Sequence, residues 1–291
     1  MNENTRFSSM HTHTLFCDGK DDIETMCRAA YEKNLFAVGF SAHAPIEKQI
    51  GRESDWNLKD KNVNEYVSQV NAAKQRWEGK LKVFLGYEAD YIKNRRSPAD
   101  SDITALNLDY IIGSVHYLYH EKNEFPFTVD GPKEEFITNL NEGYNGSGEK
   151  LMHYYYDAVL EMIEKGGFDI LGHADLLKKN SQGMNYWREE TELERQKEVA
   201  LAAAKTGIVI EVNTGGINRK KINDLYPSLA FLRMIQELNI PVIITADAHN
   251  ASQIDGNYNF ALNTLKLANI KEHLLFNGKI DNKTSWLKEI I

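Results

Sequence analysis

Short runs of β-branched and other apolar residues alternate, through most of the chain, with longer stretches whose apolar positions recur every three or four residues. That alternation is the pattern of repeated βα units around a largely parallel sheet. Seven runs read as strands, over 7–13, 36–42, 81–88, 110–116, 168–173, 208–213 and 242–247. Several are apolar on both faces, as buried parallel strands are. Between them, 23–35, 63–77, 153–165, 190–205 and 228–238 carry helical spacing, and Gly79, Gly166 and Gly207 stop three of these helices. Seven strands are one fewer than a closed eight-stranded barrel needs, so the expected fold is α/β: an irregular seven-stranded (β/α)7 barrel, TIM-barrel-like.

Two stretches break the rhythm of short loops, 45–61 and 117–149. The second is too long for an ordinary connection and reads as an insertion with one helix near 132–141. It is either a lid that contacts substrate or a solvated excursion.

A chain of 291 residues, 42% of them hydrophobic, can build one substantial core or two small ones, and we read 1–291 as a single domain. A net charge of −8 argues against a nucleic-acid partner, while leaving room for a local basic pocket. Cys17 and Cys27 form neither a C-x-x-C nor a close pair, so a disulfide framework and a thiolate zinc site are not indicated. The first residues are polar, and the longest apolar runs, such as 240–246, fall far short of a membrane span. The expectation is a cytoplasmic protein with no membrane partner.

The candidate chemistry lies where the strands end. The first run gives His11 and His13, with Asp18 close behind; the second gives His43, the third Glu88, the fourth His116, the fifth His173, and the seventh Asp247 and His249. Only the sixth ends otherwise, in Glu211 and Asn213. In a parallel barrel the carboxyl ends of the strands converge on one mouth, so residues far apart in sequence meet there. Residues i and i+2 on a strand share a side, so His11-x-His13 and Asp247-x-His249 can each aim two ligands into one volume. Six histidines, two aspartates and one glutamate exceed what one four-coordinate ion uses, which suggests two or three ions. Closely spaced ions clamp a phosphate and activate water, with a carboxylate such as Glu88 bridging them. A single buried histidine is more often a satisfied polar group of the core, and His120, His153 and His273 are read that way. A lone H-x-H is likewise weak; recurrence at successive strand ends is what chance seldom arranges.

The segments Met10-His11-Thr12-His13-Thr14, Asp18-Gly19, Ser41-Ala42-His43, Gly86-Tyr87-Glu88, Gly113-Ser114-Val115-His116, Leu171-Gly172-His173 and Asp247-Ala248-His249 resemble, in order, the metal motifs of the polymerase-and-histidinol-phosphatase (PHP) family. The resemblance spans nearly the whole chain. It implies an irregular seven-stranded barrel with a trinuclear site, in which His11, His13, Glu88 and Asp247 surround one ion and Glu88, His116 and His173 the second. Asp18, His43 and His249 complete the third, with Asp18 standing where some relatives carry histidine. Oxygen and nitrogen ligands without thiolate admit zinc, manganese or iron.

Within the family, 211–219 followed by Tyr226-Pro227-Ser228 looks like the histidinol-phosphate phosphatase branch. That implies a small phosphomonoester substrate, L-histidinol phosphate, hydrolysed to L-histidinol and phosphate in histidine biosynthesis. In this run Thr214-Gly215-Gly216 would let the backbone approach a ligand closely, and Arg219 offers a bidentate fork for phosphate. The expected mechanism is in-line attack by a metal-bridging hydroxide, with Asp247, Glu88 and Arg219 as the catalytic residues. Glu53, Asp55, Asp130 and Glu211 are candidates for the substrate ammonium. Rival readings are a PHP relative acting on nucleotides, DNA ends or phosphotyrosine, a barrel amidohydrolase, and a metal-binding module without turnover. Oligomeric state has no signature in the sequence.

Overall fold

The computed structural model describes residues 5–119, 125–181 and 183–291. Its strands, in chain order, are β1 (Ser8–Ser9), β2 (Ala37–His43), β3 (Lys82–Asp90), β4 (Tyr110–Ser114), β5 (Tyr117–Leu118), β6 (Phe127–Thr128), β7 (Ile170–Leu171), β8 (Val209–Asn213), β9 (Val242–Thr245), β10 (Glu272–Ile280) and β11 (Lys283–Ile290). Seven form one sheet in the order β1-β2-β3-β4-β7-β8-β9, every neighbouring pair parallel. A parallel bridge between Thr12 and Ala248 brings its edges together, with the His13 amide donating to the Ala248 carbonyl at 2.8 Å and the Ala248 amide to that of His11 at 3.0 Å. The result is the nearly closed seven-stranded barrel expected from the sequence.

Local chemistry sets the helix starts. Asp22, Ser147 and Ser228 cap the helices Ile23–Glu32, Gly148–Lys165 and Leu229–Glu237 by accepting amide hydrogen bonds from the first turn. The second of these begins five residues earlier than its apolar spacing indicates, because the Ser147 cap, not the hydrophobic stripe, decides where it starts. Gly166 and Gly207 end their helices at positive φ as expected, and Gly79 does so two residues past the cap of the helix Val63–Arg76.

Some predicted strands are shorter in the structure. The first is a regular strand only over Ser8–Ser9, and the fifth only over Ile170–Leu171. In both, the regular ladder gives way to single backbone hydrogen bonds before the predicted ligands, Thr12 bridging to Ala248 in the first and Gly172 donating to the Gly113 carbonyl in the fifth, which a run of apolar residues does not reveal. The third is longer than predicted and carries Asp90 at its end. The predicted insertion contains the two-stranded β5–β6 ribbon and the helix Lys133–Tyr144.

The interior layer toward the amino end is apolar, built of Met10, Ala37, Tyr110, Ile112, Ile170, Val209 and Ile243. Tyr110 crosses the barrel and donates its hydroxyl to the Met10 carbonyl at 2.5 Å. A Cβ on Gly86 would lie 2.6 Å from the Tyr110 ring, so the strand beside it must carry glycine there. At the amino end, the antiparallel β10–β11 hairpin lays Leu274, Phe276 and Trp286 against Ala37, Tyr110, Ile170 and Val209, closing the barrel from below. Neither this hairpin nor the helix Tyr258–Leu267 is among the elements read from the sequence. Among the described residues, no helix is long and apolar enough to cross a membrane.

Candidate metal centre

All nine predicted ligands meet at the carboxyl end of the barrel. Glu88 is central: Oε2 lies 3.0 Å from His11 Nε2, 3.0 Å from His43 Nδ1 and 3.5 Å from His13 Nε2. Its Oε1 lies 2.9 Å from His173 Nε2 and 3.4 Å from His116 Nε2, and accepts from Ser114 Oγ at 2.7 Å. Asp247 Oδ1 stands 3.4 Å from His13 Nε2 and 3.8 Å from His11 Nε2. On the outer side, Asp18 contacts His249 Nε2 at 2.9 Å, His13 Nδ1 at 3.5 Å and His43 Nε2 at 3.7 Å.

The donor atoms fall into overlapping groups within 4.8 Å, among them His11 with His13 and Glu88, Glu88 with His116 and His173, and His13 with Asp18, His43 and His249. Asp247 groups with His11 and His173. The chemistry of these donors fits divalent cations. His11 Nε2, His13 Nε2, His43 Nδ1, Glu88 Oε2 and Asp18 Oδ1 are buried and have no hydrogen-bond partner, a condition that costs about 1–3 kcal/mol per neutral group and more per charge. Cations at these points would satisfy all of them at once.

Electrostatics agree. Burial opposes ionisation of Glu88, but His11, His43 and His116 hold its carboxyl well below the usual range. Burial likewise opposes protonation of His116, yet Asp90 and Glu88 raise it to about 10. His13 goes the other way: burial, then His249 and His43, push it down to about 3. Glu88 and Asp247 are thus held ionised, and His11, His43 and His116 gain affinity for protons from the carboxylates beside them, whereas His13 loses it.

The centre opens into a cavity of about 540 Å³. Arg219 lines it, donating from one guanidinium nitrogen to Asp247 Oδ2 at 2.9 Å and from the other to the Asp247 carbonyl at 3.1 Å. Asp247 itself has φ 48°, in the left-handed region, and a Cβ on Gly215 would fall 2.7 Å from its Oδ2. The close approach expected of Thr214-Gly215-Gly216 toward a ligand is therefore an approach to Asp247, with Gly216 packed on Ile222 and Tyr226.

Of the four carboxylates considered for an ammonium, Asp130 lines the cavity, where Lys179 pairs with it at 3.0 Å. Glu53 and Asp55 are exposed and do not line it. Glu211 is wholly buried behind the cluster, bonded to His11, and cannot meet a substrate. His153 is half-buried on its helix, and His120 lies outside the described residues. His273 is buried at the amino end as expected of a core histidine, but neither ring nitrogen has a hydrogen-bond partner.

Sequence reasoning missed Asp90, Trp56 and Glu135. Asp90 could have been found: it stands two residues beyond Glu88 on one strand and so shares its side. Trp56 carries no such signal, since only the fold brings its ring 4.5 Å from that of His43, 5.4 Å from that of His116 and 5.2 Å from that of Tyr117, on which it stacks.

The PHP domain profile matches residues 9–215, a span that contains all the predicted ligands except Asp247 and His249. The chain belongs to the PHP family. Among PHP relatives, it is 29% identical over 255 residues to a Deinococcus radiodurans protein named probable histidinol-phosphatase, covering 86% of this chain and 89% of that one. It is 23% identical over 259 residues to the histidinol-phosphatase of Bacillus subtilis, covering 84% and 94%. The crystal structure of histidinol phosphate phosphatase from Lactococcus lactis, in complex with zinc, L-histidinol and phosphate, superposes with a TM-score of 0.73 at 21% identity, covering 97% of this chain and all of that one.

Proposed function

We propose that this protein is a metal-dependent phosphomonoesterase that hydrolyses L-histidinol phosphate to L-histidinol and phosphate, a step of histidine biosynthesis. The observation that carries the reading is the ring of unpartnered imidazole and carboxylate lone pairs at the barrel mouth, with Arg219 beside it. The substrate comes from the relatives: the Bacillus subtilis protein bears that activity in its name, and the Lactococcus lactis structure holds L-histidinol and phosphate. Two unpaired cysteines suit a reducing cytoplasm.

In this reading His11, His13, Glu88 and Asp247 hold one ion, Glu88, His116 and His173 a second, and Asp18, His43 and His249 a third. Divalent ions there supply charge neutralisation at the phosphoryl oxygens and water activated as a nucleophile near neutral pH. Arg219 carries a fixed positive charge, since Asp247, to which it donates, raises its pKa against the burial that would lower it. Its remaining N–H donors orient the phosphoryl group and stabilise charge that grows on it during transfer. Asp247 is held ionised well below the usual carboxylate range, against burial, by Arg219 and His11. It accepts a hydrogen bond from the attacking water and so fixes its approach. Trp56 offers an aromatic wall, and Asp130 and Glu135 offer carboxylates, in the cavity that would take the amino and imidazole groups.

The test is phosphate release from L-histidinol phosphate beside a nucleoside monophosphate, a phosphotyrosine peptide and p-nitrophenyl phosphate, with manganese or zinc and then with chelator. Metal-dependent turnover that favours histidinol phosphate at least tenfold is the expected result. Better turnover of another ester would keep the phosphoesterase and discard the substrate, and no hydrolysis by metal-loaded protein would discard both.

A further inference from the structure

We infer that Glu211 and Asp90 are positioning residues that fix which nitrogen His11 and His116 present to the ions, so that metal retention depends on two carboxylates outside the predicted ligand set. Glu211 lies on β8, the one barrel strand whose end supplies no predicted ligand. It is completely buried, and each oxygen accepts twice: Oε1 from His11 Nδ1 at 2.5 Å and Thr245 Oγ1 at 2.7 Å, Oε2 from the His173 amide at 2.7 Å and Asn213 Nδ2 at 3.1 Å. Asp90 closes β3 and is 1% exposed. Its Oδ1 accepts from His116 Nδ1 at 2.9 Å and from the His116 amide at 3.2 Å.

The two contacts follow one pattern, a carboxylate that takes the Nδ1–H of one imidazole together with the backbone N–H of a ligand histidine. An imidazole whose Nδ1 carries the proton has its lone pair on Nε2. In both residues Nε2 points inward, 3.0 Å from Glu88 Oε2 for His11 and 3.4 Å from Glu88 Oε1 for His116. The opposite tautomer would set a lone pair against Glu211 or Asp90 and drive an N–H into the space an ion needs. An ionised acceptor behind the ring also strengthens the ring as a ligand. Glu211 does more than Asp90, because its second oxygen holds the His173 backbone and so ties together ligands of two different ions.

Glu211→Gln and Asp90→Asn keep the shape and remove the charge. Each variant would be loaded with excess zinc, dialysed, and assayed for bound zinc by mass spectrometry and chelator competition, with p-nitrophenyl phosphate turnover in parallel. The expected result is zinc held roughly 10–100-fold more weakly at one or more positions, a larger loss for Glu211→Gln than for Asp90→Asn, and recovery of kcat when zinc is added back. Folded variants that retain zinc as the wild type does would overturn the inference, as would a loss of kcat that zinc does not restore. If a variant does not fold, nitrogen-resolved NMR of the zinc-loaded wild type decides: His11 and His116 must be protonated on Nδ1, and a proton on Nε2 of either ring overturns the assignment.

Discussion

His11 and His116 at the mouth of the barrel and His273 beneath it are about equally buried, yet their surroundings are opposites. At the mouth each imidazole faces carboxylates, and burial, which alone would strip its proton, is outweighed. Below, His273 stacks on Phe7 at 5.6 Å between ring centroids and is pushed down by burial to about 4, which outweighs the backbone of Leu274 and Arg6 and the Glu289 carboxylate that favour its proton. One end spends stability on a charged cluster that cations complete. The other buries His273 among apolar side chains and closes the barrel with the cluster of Leu274, Phe276, Tyr110, Ile170 and Val209. A site of this kind requires such a base, because ligands from six strand ends must be held by a scaffold that does not itself relax when the ions leave.

The sharpest way to break this division is to remove the group at the centre of the candidate metal site, Glu88. Glu88→Gln should lower kcat for phosphate release by roughly 10³-fold or more, the scale of losing charge stabilisation in a transition state, while the unfolding free energy of the metal-free protein falls by less than truncation of a core aromatic ring costs, since only the attraction of His11, His43 and His116 for the Glu88 carboxylate is lost. Steady-state kinetics and denaturant unfolding of the same preparation read both. A large loss of stability would show the mouth to be part of the scaffold.

The converse change is Phe276→Ala. Phe276 is fully buried in the hairpin and packs edge-on against Phe84 and Trp286, so its truncation should cost about 3–4 kcal/mol of unfolding free energy. Turnover per folded, metal-loaded molecule should be unchanged. A matching fall in kcat would mean that strain at the base reaches the ligands.

Arg219→Ala comes next, with a loss of roughly 10²-fold in kcat/KM. Because Arg219 also donates to Asp247, Arg219→Lys separates the two tasks: it restores charge but not the fork, and should recover only a small part of the loss. Unchanged kinetics for Arg219→Ala would remove its proposed role.

How much of this division was legible beforehand follows the same line. Candidate ligands such as His43, Glu88 and His116 announce themselves because strand ends are local features and imidazole there is conspicuous. The supports do not: Glu211 looks like any acidic residue until the fold buries it under His11, and Trp56 reaches the centre only through the packing of its long loop on Tyr117. The hairpin escaped for another reason. Its 272–290 segment mixes Lys, Glu and Asn with Leu, Phe and Trp, since only one face of a plug meets the barrel, and the pattern of a half-exposed ribbon is weaker than that of a buried parallel strand.

The smallest predicted effect is also the cleanest probe of the base. His273 is neutral when folded, with a pKa of about 4, against roughly 6.5 when unfolded. The unfolded chain therefore binds the extra proton between these values, so the stability due to the neutral ring is complete above about pH 6.5 and is lost as pH falls toward 4. From pH 7 to pH 5 the loss should be roughly 2 kcal/mol. Glu289 lies opposite His273 in the hairpin and would favour the proton, but Arg6 already pairs with it at 2.8 Å. Urea unfolding of metal-free wild type and His273→Leu at both pH values isolates the term, because the histidines of the mouth titrate alike in each and cancel in the difference. If the variant shows the same pH dependence as the wild type, His273 has found a partner in the folded state and the contrast between the two ends does not hold.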